Sequence, residues 1–139
     1  MAALGIAAHE TGHAIQHAKA YGPLMARMTV VPVTQVASQI LPFVLFGGFF
    51  FRMSGLITLG IYCYLVLVIF QLITLPVEFD ASRRAKEILS GMGFVGTADE
   101  ALGVRKVLDA AAWTYVAAFI TSLLYFLWHL LPRMVGRRE

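Results

Sequence analysis

Polar and apolar positions alternate at long range along this chain, in blocks of about the length of a membrane crossing. Residues 2 to 20, AALGIAAHETGHAIQHAKA, are alanine-rich, contain no proline and run into Tyr21-Gly22-Pro23, so they predict one amphipathic or partly buried helix with a stop at its end. RMTVVPVTQV (Arg27 to Val36) is β-branched and interrupted by Pro32, which predicts an extended segment or an edge strand. Val36 to Phe51 carries no charge, but it is short and holds Pro42 and the pair Gly47-Gly48. Leu56 to Leu75 is uncharged throughout and matches the roughly 20 residues that cross a hydrocarbon core. Val107 to Leu131 is a further crossing, with Trp113, Tyr115 and Trp128 placed as interfacial aromatics and arginines beyond it.

Between the last two apolar blocks lies Pro76 to Lys106. Pro76 suits either a helix start or a kink in a helix continuing from the membrane, and VEFDASRRAKEILS then reads as helix up to Gly91. Thr97 and Glu100 form a capping-box pattern, opening a helix that continues into the last span. The organisation is therefore one membrane domain over 1–139: a helix at 1–22, a membrane hairpin at 36–75, a helix and loop at 76–106, and a last transmembrane helix at 107–131. The predicted fold class is an all-α integral membrane protein with two to three transmembrane helices.

Composition sharpens this. At 59% hydrophobic and 14% charged, the 139 residues are far more apolar than a soluble domain, and the lipid bilayer is the expected surrounding. MAALGIAAHE lacks the basic start, long apolar core and cleavage site of a signal peptide, so insertion is expected to rest on internal segments. Cys63 is the one cysteine and forms no intrachain disulfide. The net charge of +3 is small, and the basic residues are not interleaved with exposed aromatics, which argues against nucleic-acid binding.

The chemistry concentrates in His9-Glu10-Thr11-Gly12-His13. Residues four apart share a helix face, so His9 and His13 can aim ring nitrogens at one ion, while Glu10 sits one position round. This is the HExxH spacing of zinc hydrolases, in which zinc keeps an open position for water and lowers its pKa to about 7. Thr11 and Gly12 are small enough to let a neighbouring helix or substrate approach. The competing reading is a solvated polar face on an alanine-rich helix, and a third ligand decides between them. His17 continues the series but lies about 12 Å along the helix from His9, too far for one ion. It reads as a surface residue or an outer partner of the ligands. The position of the longer HExxHxxGxxH pattern holds Lys19. His129 reads as interfacial. Glu78 and Asp80 remain, and two crossings return them to the side of the histidines. Two residues apart on a helix, they cannot both face the ion, so at most one is a ligand.

AAHETGHAIQHA (Ala7 to Ala18), TLPVEFDASRRAKEIL (Thr74 to Leu89) and LDAAAWTYVAA (Leu108 to Ala118) together resemble the YugP-like neutral zinc metallopeptidases of bacterial membranes. The resemblance covers nearly the whole chain. It implies a membrane-bound zinc endopeptidase acting on a peptide or protein substrate, with one zinc per chain, His9 and His13 as ligands and Glu10 as catalytic base. The E-F-x-A-x-R portion is also similar to the downstream glutamate helix of the prenyl-protein and heat-shock membrane proteases, which selects Glu78 as third ligand. Those relatives carry an aspartate four residues later, where this chain has Ser82, leaving Ser82, Asp80 and His17 as candidates to support the ligands. Members of the family generally carry a membrane segment before the HExxH helix, so the chain reads as a short form. A non-catalytic, zinc-binding membrane protein is accordingly the alternative. A site-2-type intramembrane protease would need an acid inside a spanning segment, and Leu56 to Leu75 has none.

For sidedness, Lys19, Arg27, Arg83, Arg84, Lys86, Arg105 and Lys106 fall on the side of the HExxH helix, against Arg52, Arg133, Arg137 and Arg138 on the other. The surplus predicts a cytoplasmic active site at a bacterial plasma membrane.

Overall fold

A computed structural model of the chain describes residues 2–136. Arg137 and Arg138, counted above for sidedness, lie outside the described residues. Among those described, the chain is built from four helices and no strand: α1 (Ala2–Ala18), α2 (Gly22–Phe50), α3 (Ser54–Gly91) and α4 (Ala98–Val135). The last three are each long and apolar enough to cross a membrane, with mean hydropathies of 1.6, 2.4 and 1.6 over their most apolar windows. Only 22%, 17% and 6% of those windows is buried within the protein, so most of their apolar surface faces outward, as lipid-facing helices require.

The connections are short and built from backbone. At the end of α1 the amide of Tyr21 donates to the Gln16 carbonyl (2.9 Å) and that of Ala20 to the His17 carbonyl (3.1 Å), with Ala20 left-handed at φ 47°. This is a Schellman ending, and the residue at its left-handed position is alanine rather than the usual glycine. Gly22 and Pro23, expected as the stop, instead begin α2, where a proline in the first turn costs no hydrogen bond. The same ending recurs after α2, with Arg52 at φ 51° and the Met53 amide on the Gly48 carbonyl.

Arg27 to Val36, expected as an extended segment or edge strand, is helix. Its β-branched residues favour strands only weakly, and among apolar surroundings a helix satisfies its backbone groups within the segment. Pro32 removes the amide that would bond the Met28 carbonyl, yet α2 continues through it and through Pro42. The Thr34 hydroxyl donates to the Val30 carbonyl (2.8 Å), a local bond available to a threonine inside a helix. The uncharged stretch from Val36 is thus the second half of a 29-residue helix. Likewise α3 runs through Pro76, and Val107 to Leu131 lies within α4, which starts at Ala98 and is unbroken.

Contacts divide the chain into two compact units, Met1–Ala26 with Ile73–Ala117 and Arg27–Leu72 with Ala118–Glu139. In the first, α1 buries the stripe Gly5, Ala8, Gly12 and Gln16, spaced at three and four residues as one helix face demands. Ala8 joins Ala85, Leu89, Val104 and Leu108 in the core of this unit. Val77, Ala81 and Ala85 are fully buried, and two of these three are alanines, so the α3 backbone can come close to its neighbours. In the second unit Ala37, Leu41 and Cys63 form the core. Phe43, Phe46, Phe49, Phe50 and Phe51 are exposed there, a surface that water would penalise and lipid accepts. Arg133, in the last turn of α4, donates to the Thr58 hydroxyl and to the Ser54 carbonyl, the latter at 2.7 Å, tying that turn to the start of α3.

Candidate metal centre

The helical register of α1 places His9 and His13 on adjacent turns of one face, and their rings meet edge to face at 4.7 Å between centroids. Gly12 is what lets this face reach α3. A Cβ at residue 12 would lie 2.5 Å from the Ala81 carbonyl oxygen, so the two backbones touch there. With Ala81 at that contact, Glu78 and Ser82 on either side of it are brought up to the imidazoles.

His9 Nε2 lies 3.1 Å from Glu78 Oε2 and 3.1 Å from His13 Nε2, and His13 Nε2 lies 3.3 Å from the same carboxylate oxygen. Three ligand atoms bonded tetrahedrally to zinc at about 2.0–2.1 Å are separated by about 3.3–3.4 Å, so the triangle nearly has the edges the ion requires. Two imidazoles and one carboxylate are also the donor set of zinc hydrolases. Among the described residues, His9, His13 and Glu78 form a cluster able to hold a metal ion, and the residues fit zinc. Glu78 is 1% exposed, whereas the two histidines are partly open, so the centre has a closed floor on α3 and an accessible face on α1. The Glu78 carboxylate holds the His13 imidazole above the ordinary histidine value; burial works in the opposite direction, and the Gln16 carbonyl oxygen adds to the rise.

Each histidine has a second contact through Nδ1. His9 Nδ1 lies 3.2 Å from Ser82 Oγ, and His13 Nδ1 lies 2.9 Å from Gln16 Oε1. Gln16 is fully buried, and its amide nitrogen donates to the Val77 carbonyl (2.8 Å) and to Asp80 Oδ2 (2.9 Å). Asp80 is turned away from the triangle. It accepts from Arg84 Nε at 2.6 Å and from the Arg83 guanidinium, and Arg84 also lies over the Tyr21 ring at 5.8 Å.

Of the residues singled out from sequence, His9, His13, Glu78 and Ser82 therefore converge, and Asp80 joins them only through Gln16. Glu10 is exposed on the α1 surface beside the histidines. His17 is exposed and outside the cluster. His129 belongs to the other unit, where its ring donates to the Tyr125 carbonyl (2.8 Å) and stacks on Tyr64. Gln16 escaped the sequence reading. Its signal was present, since it lies three residues beyond His13 and seven beyond His9, on the same helix face.

Residues 1–134 match the model of the family described as "Putative neutral zinc metallopeptidase". The chain is 46% identical over 139 residues to the "Putative membrane protease YugP" of Bacillus subtilis (strain 168). That alignment covers 100% of this chain and 61% of the relative, so the chain spans somewhat under two thirds of the length of the protein it matches. No solved structure matches it. With three helices fit to cross a bilayer and a relative described as a membrane protease, the chain is a membrane protein, and it belongs to the neutral zinc metallopeptidase family.

Proposed function

We propose that the protein is a membrane-bound zinc-dependent endopeptidase, one zinc per chain, held by His9, His13 and Glu78. The observation that carries this reading is the 3.1–3.3 Å triangle of two imidazole nitrogens from α1 and one buried carboxylate oxygen from α3, His9 and Glu78 lying 69 residues apart in sequence. Zinc at such a centre supplies a Lewis acid that polarises the scissile carbonyl and makes a water acidic enough to attack near neutral pH. Glu10, exposed next to His9, accepts the proton of the attacking water and returns it to the leaving amine. Glu78 and the neutral faces of both histidines hold the ion, and Ser82 and Gln16 hold the histidines.

The whole chain acts as one metallopeptidase domain, with the helix of α1 and the polar stretch 76–106 on the cytoplasmic side of a bacterial plasma membrane. The excess of basic residues on that side supports this orientation. The substrate class is a peptide or protein chain approaching from the membrane surface.

The test is metal analysis and peptide cleavage on the detergent-purified protein, using a quenched-fluorescence peptide mixture as probe. Wild type should carry about one zinc, as three protein ligands and an open position imply. Glu78→Ala should lose it, and Glu10→Gln should keep it while losing cleavage. Zinc retained in Glu78→Ala but lost in Asp80→Ala would overturn the choice of ligand. A wild type that binds zinc and cleaves none of the peptides would favour the non-catalytic alternative.

A further inference from the structure

We infer that Gln16 is a positioning residue that fixes which nitrogen of His13 faces the metal, and that Asp80 acts on the centre through it. This rests on the reading of His13 as a ligand. Donor and acceptor chemistry fixes the orientation of the Gln16 amide. The Val77 carbonyl and the Asp80 carboxylate can only accept, and both face one end of the Gln16 side chain, at 2.8 and 2.9 Å. That end must be the NH2 group. The other end, 2.9 Å from His13 Nδ1, is then the carbonyl oxygen, which can only accept. His13 must donate from Nδ1, and Nε2 is the atom whose lone pair is presented to Glu78 and His9.

Three features make this a fixed arrangement. Gln16 is fully buried, so no water can substitute for its partners. The Val77 carbonyl belongs to the helix that carries Glu78, one residue before it, so the glutamine ties both ligand-bearing helices together. Asp80 is itself held by Arg84 Nε at 2.6 Å and by Arg83, so its carboxylate oxygens face donors on each side. His9 is held differently. Its Nδ1 meets the Ser82 hydroxyl, which can donate or accept by rotating, so the tautomer of His9 is free to follow the metal. One ligand is preset and the other adapts.

The experiment compares zinc affinity, by competition with a chelator, and the nitrogen-15 spectra of the imidazoles in detergent-purified, zinc-loaded protein. The chain has 4 histidines, and His17, which is exposed, and His129, which is half-buried, can be assigned by replacing each with glutamine. Wild type should show His13 bound through Nε2, with an Nδ1 proton protected from solvent exchange. Gln16→Leu should weaken zinc binding about 10- to 100-fold, the size seen when such outer partners are removed. It should also lose protection of that proton. Gln16→Glu should weaken binding similarly, because a carboxylate then faces Val77 and Asp80 with no proton between them. Adding Asp80→Asn to Gln16→Glu restores a donor to that pair and should recover several-fold of the affinity. A general packing defect would not be repaired by that exchange.

Gln16→Leu binding zinc as tightly as wild type would overturn the inference, as would a double variant no better than Gln16→Glu. If Gln16→Leu fails to fold, the comparison of Gln16→Glu with the double variant decides. A wild type that takes up no zinc removes the peptidase reading instead. A protected His13 Nδ1 proton in that protein, lost in Gln16→Leu, upholds the hydrogen-bond assignment on its own, and its absence in wild type overturns it.

Discussion

Gly12 and Ala81 meet backbone to backbone: a Cβ placed on residue 12 would come within 2.5 Å of the Ala81 carbonyl oxygen and 3.1 Å of its carbonyl carbon and Cα. These atoms are main chain, so no rotamer change can relieve the clash, and α1 would have to move off α3. Because the triangle draws two atoms from α1 and one from α3, separation of the helices acts on the metal centre directly. Gly12→Ala should therefore lower stability by about 1–3 kcal/mol, the range for overpacking a close contact, and weaken zinc binding in the same protein. Gly22→Ala is the control, since a Cβ there meets nothing within 4 Å. Thermal unfolding and zinc content measured on both variants check this, and a Gly12→Ala protein with wild-type values on both would contradict the close approach.

The two Schellman endings offer the opposite kind of change. Ala20 adopts φ 47° with its Cβ in place, a conformation that costs an L-residue roughly 1–2 kcal/mol. Glycine removes that strain and gives back part of it through the entropy of the unfolded chain. Ala20→Gly should thus stabilise the protein by about 0.5–1 kcal/mol, read as a rise in the midpoint of thermal unfolding. A fall in the midpoint would mean the turn after α1 is not left-handed.

Much of the fold was legible because lipid makes a blunt selection. The uncharged run Leu56 to Leu75 could be little other than a spanning helix, and Thr97 with Glu100 announced the start of α4. What misled was local propensity. Val30, Val31, Val33 and Thr34 favour strand and Pro32 opposes helix, but among apolar helices the requirement to satisfy backbone groups outweighs both. The candidate metal centre was legible in part for a different reason. Helical spacing showed that His9 and His13 share a face and that Glu78 and Asp80 cannot, yet which acid faced the histidines depended on where α1 crosses α3. That crossing is set by Gly12 against Ala81, a pair separated by 69 positions that no pattern within either helix reveals. Gln16 was passed over because an amide is neither a ligand nor a base, and its role appears only once its partners at Val77 and Asp80 are in place.

The start of α4 carries a reciprocal cap. Glu100 accepts from the amides of Gly96 (3.0 Å) and Thr97 (3.2 Å), and the Thr97 hydroxyl accepts from the Glu100 amide (3.2 Å). Thr97→Ala leaves an amide of the first turn without its partner and should cost about 1 kcal/mol. The cap is exposed and lies on a different helix from His9, His13 and Glu78, so zinc binding should be unchanged. Thermal unfolding together with zinc content separates the two, and loss of zinc in Thr97→Ala would show that the start of α4 is coupled to the metal centre.

Sidedness can be read from thiols. Ser54 and Ser90 are both exposed and lie on α3 at opposite sides of the uncharged stretch Leu56 to Leu75. Whatever path the rest of the chain takes, a spanning helix must place them in different aqueous compartments. The natural cysteine, Cys63, is buried within that stretch and can be replaced by alanine to give a silent background. In that background Ser90→Cys should react with a membrane-impermeant maleimide only in inverted vesicles, and Ser54→Cys only in intact cells stripped of their wall. This follows from the basic residues Arg83, Arg84, Lys86, Arg105 and Lys106 lying on the Ser90 side, since such residues are retained in the cytoplasm. The reverse labelling would move the metal centre to the outer face and leave its ligands as they are. Labelling of both positions from the same side would mean that α3 does not cross, and with it would fall the route by which Glu78 returns to the histidines.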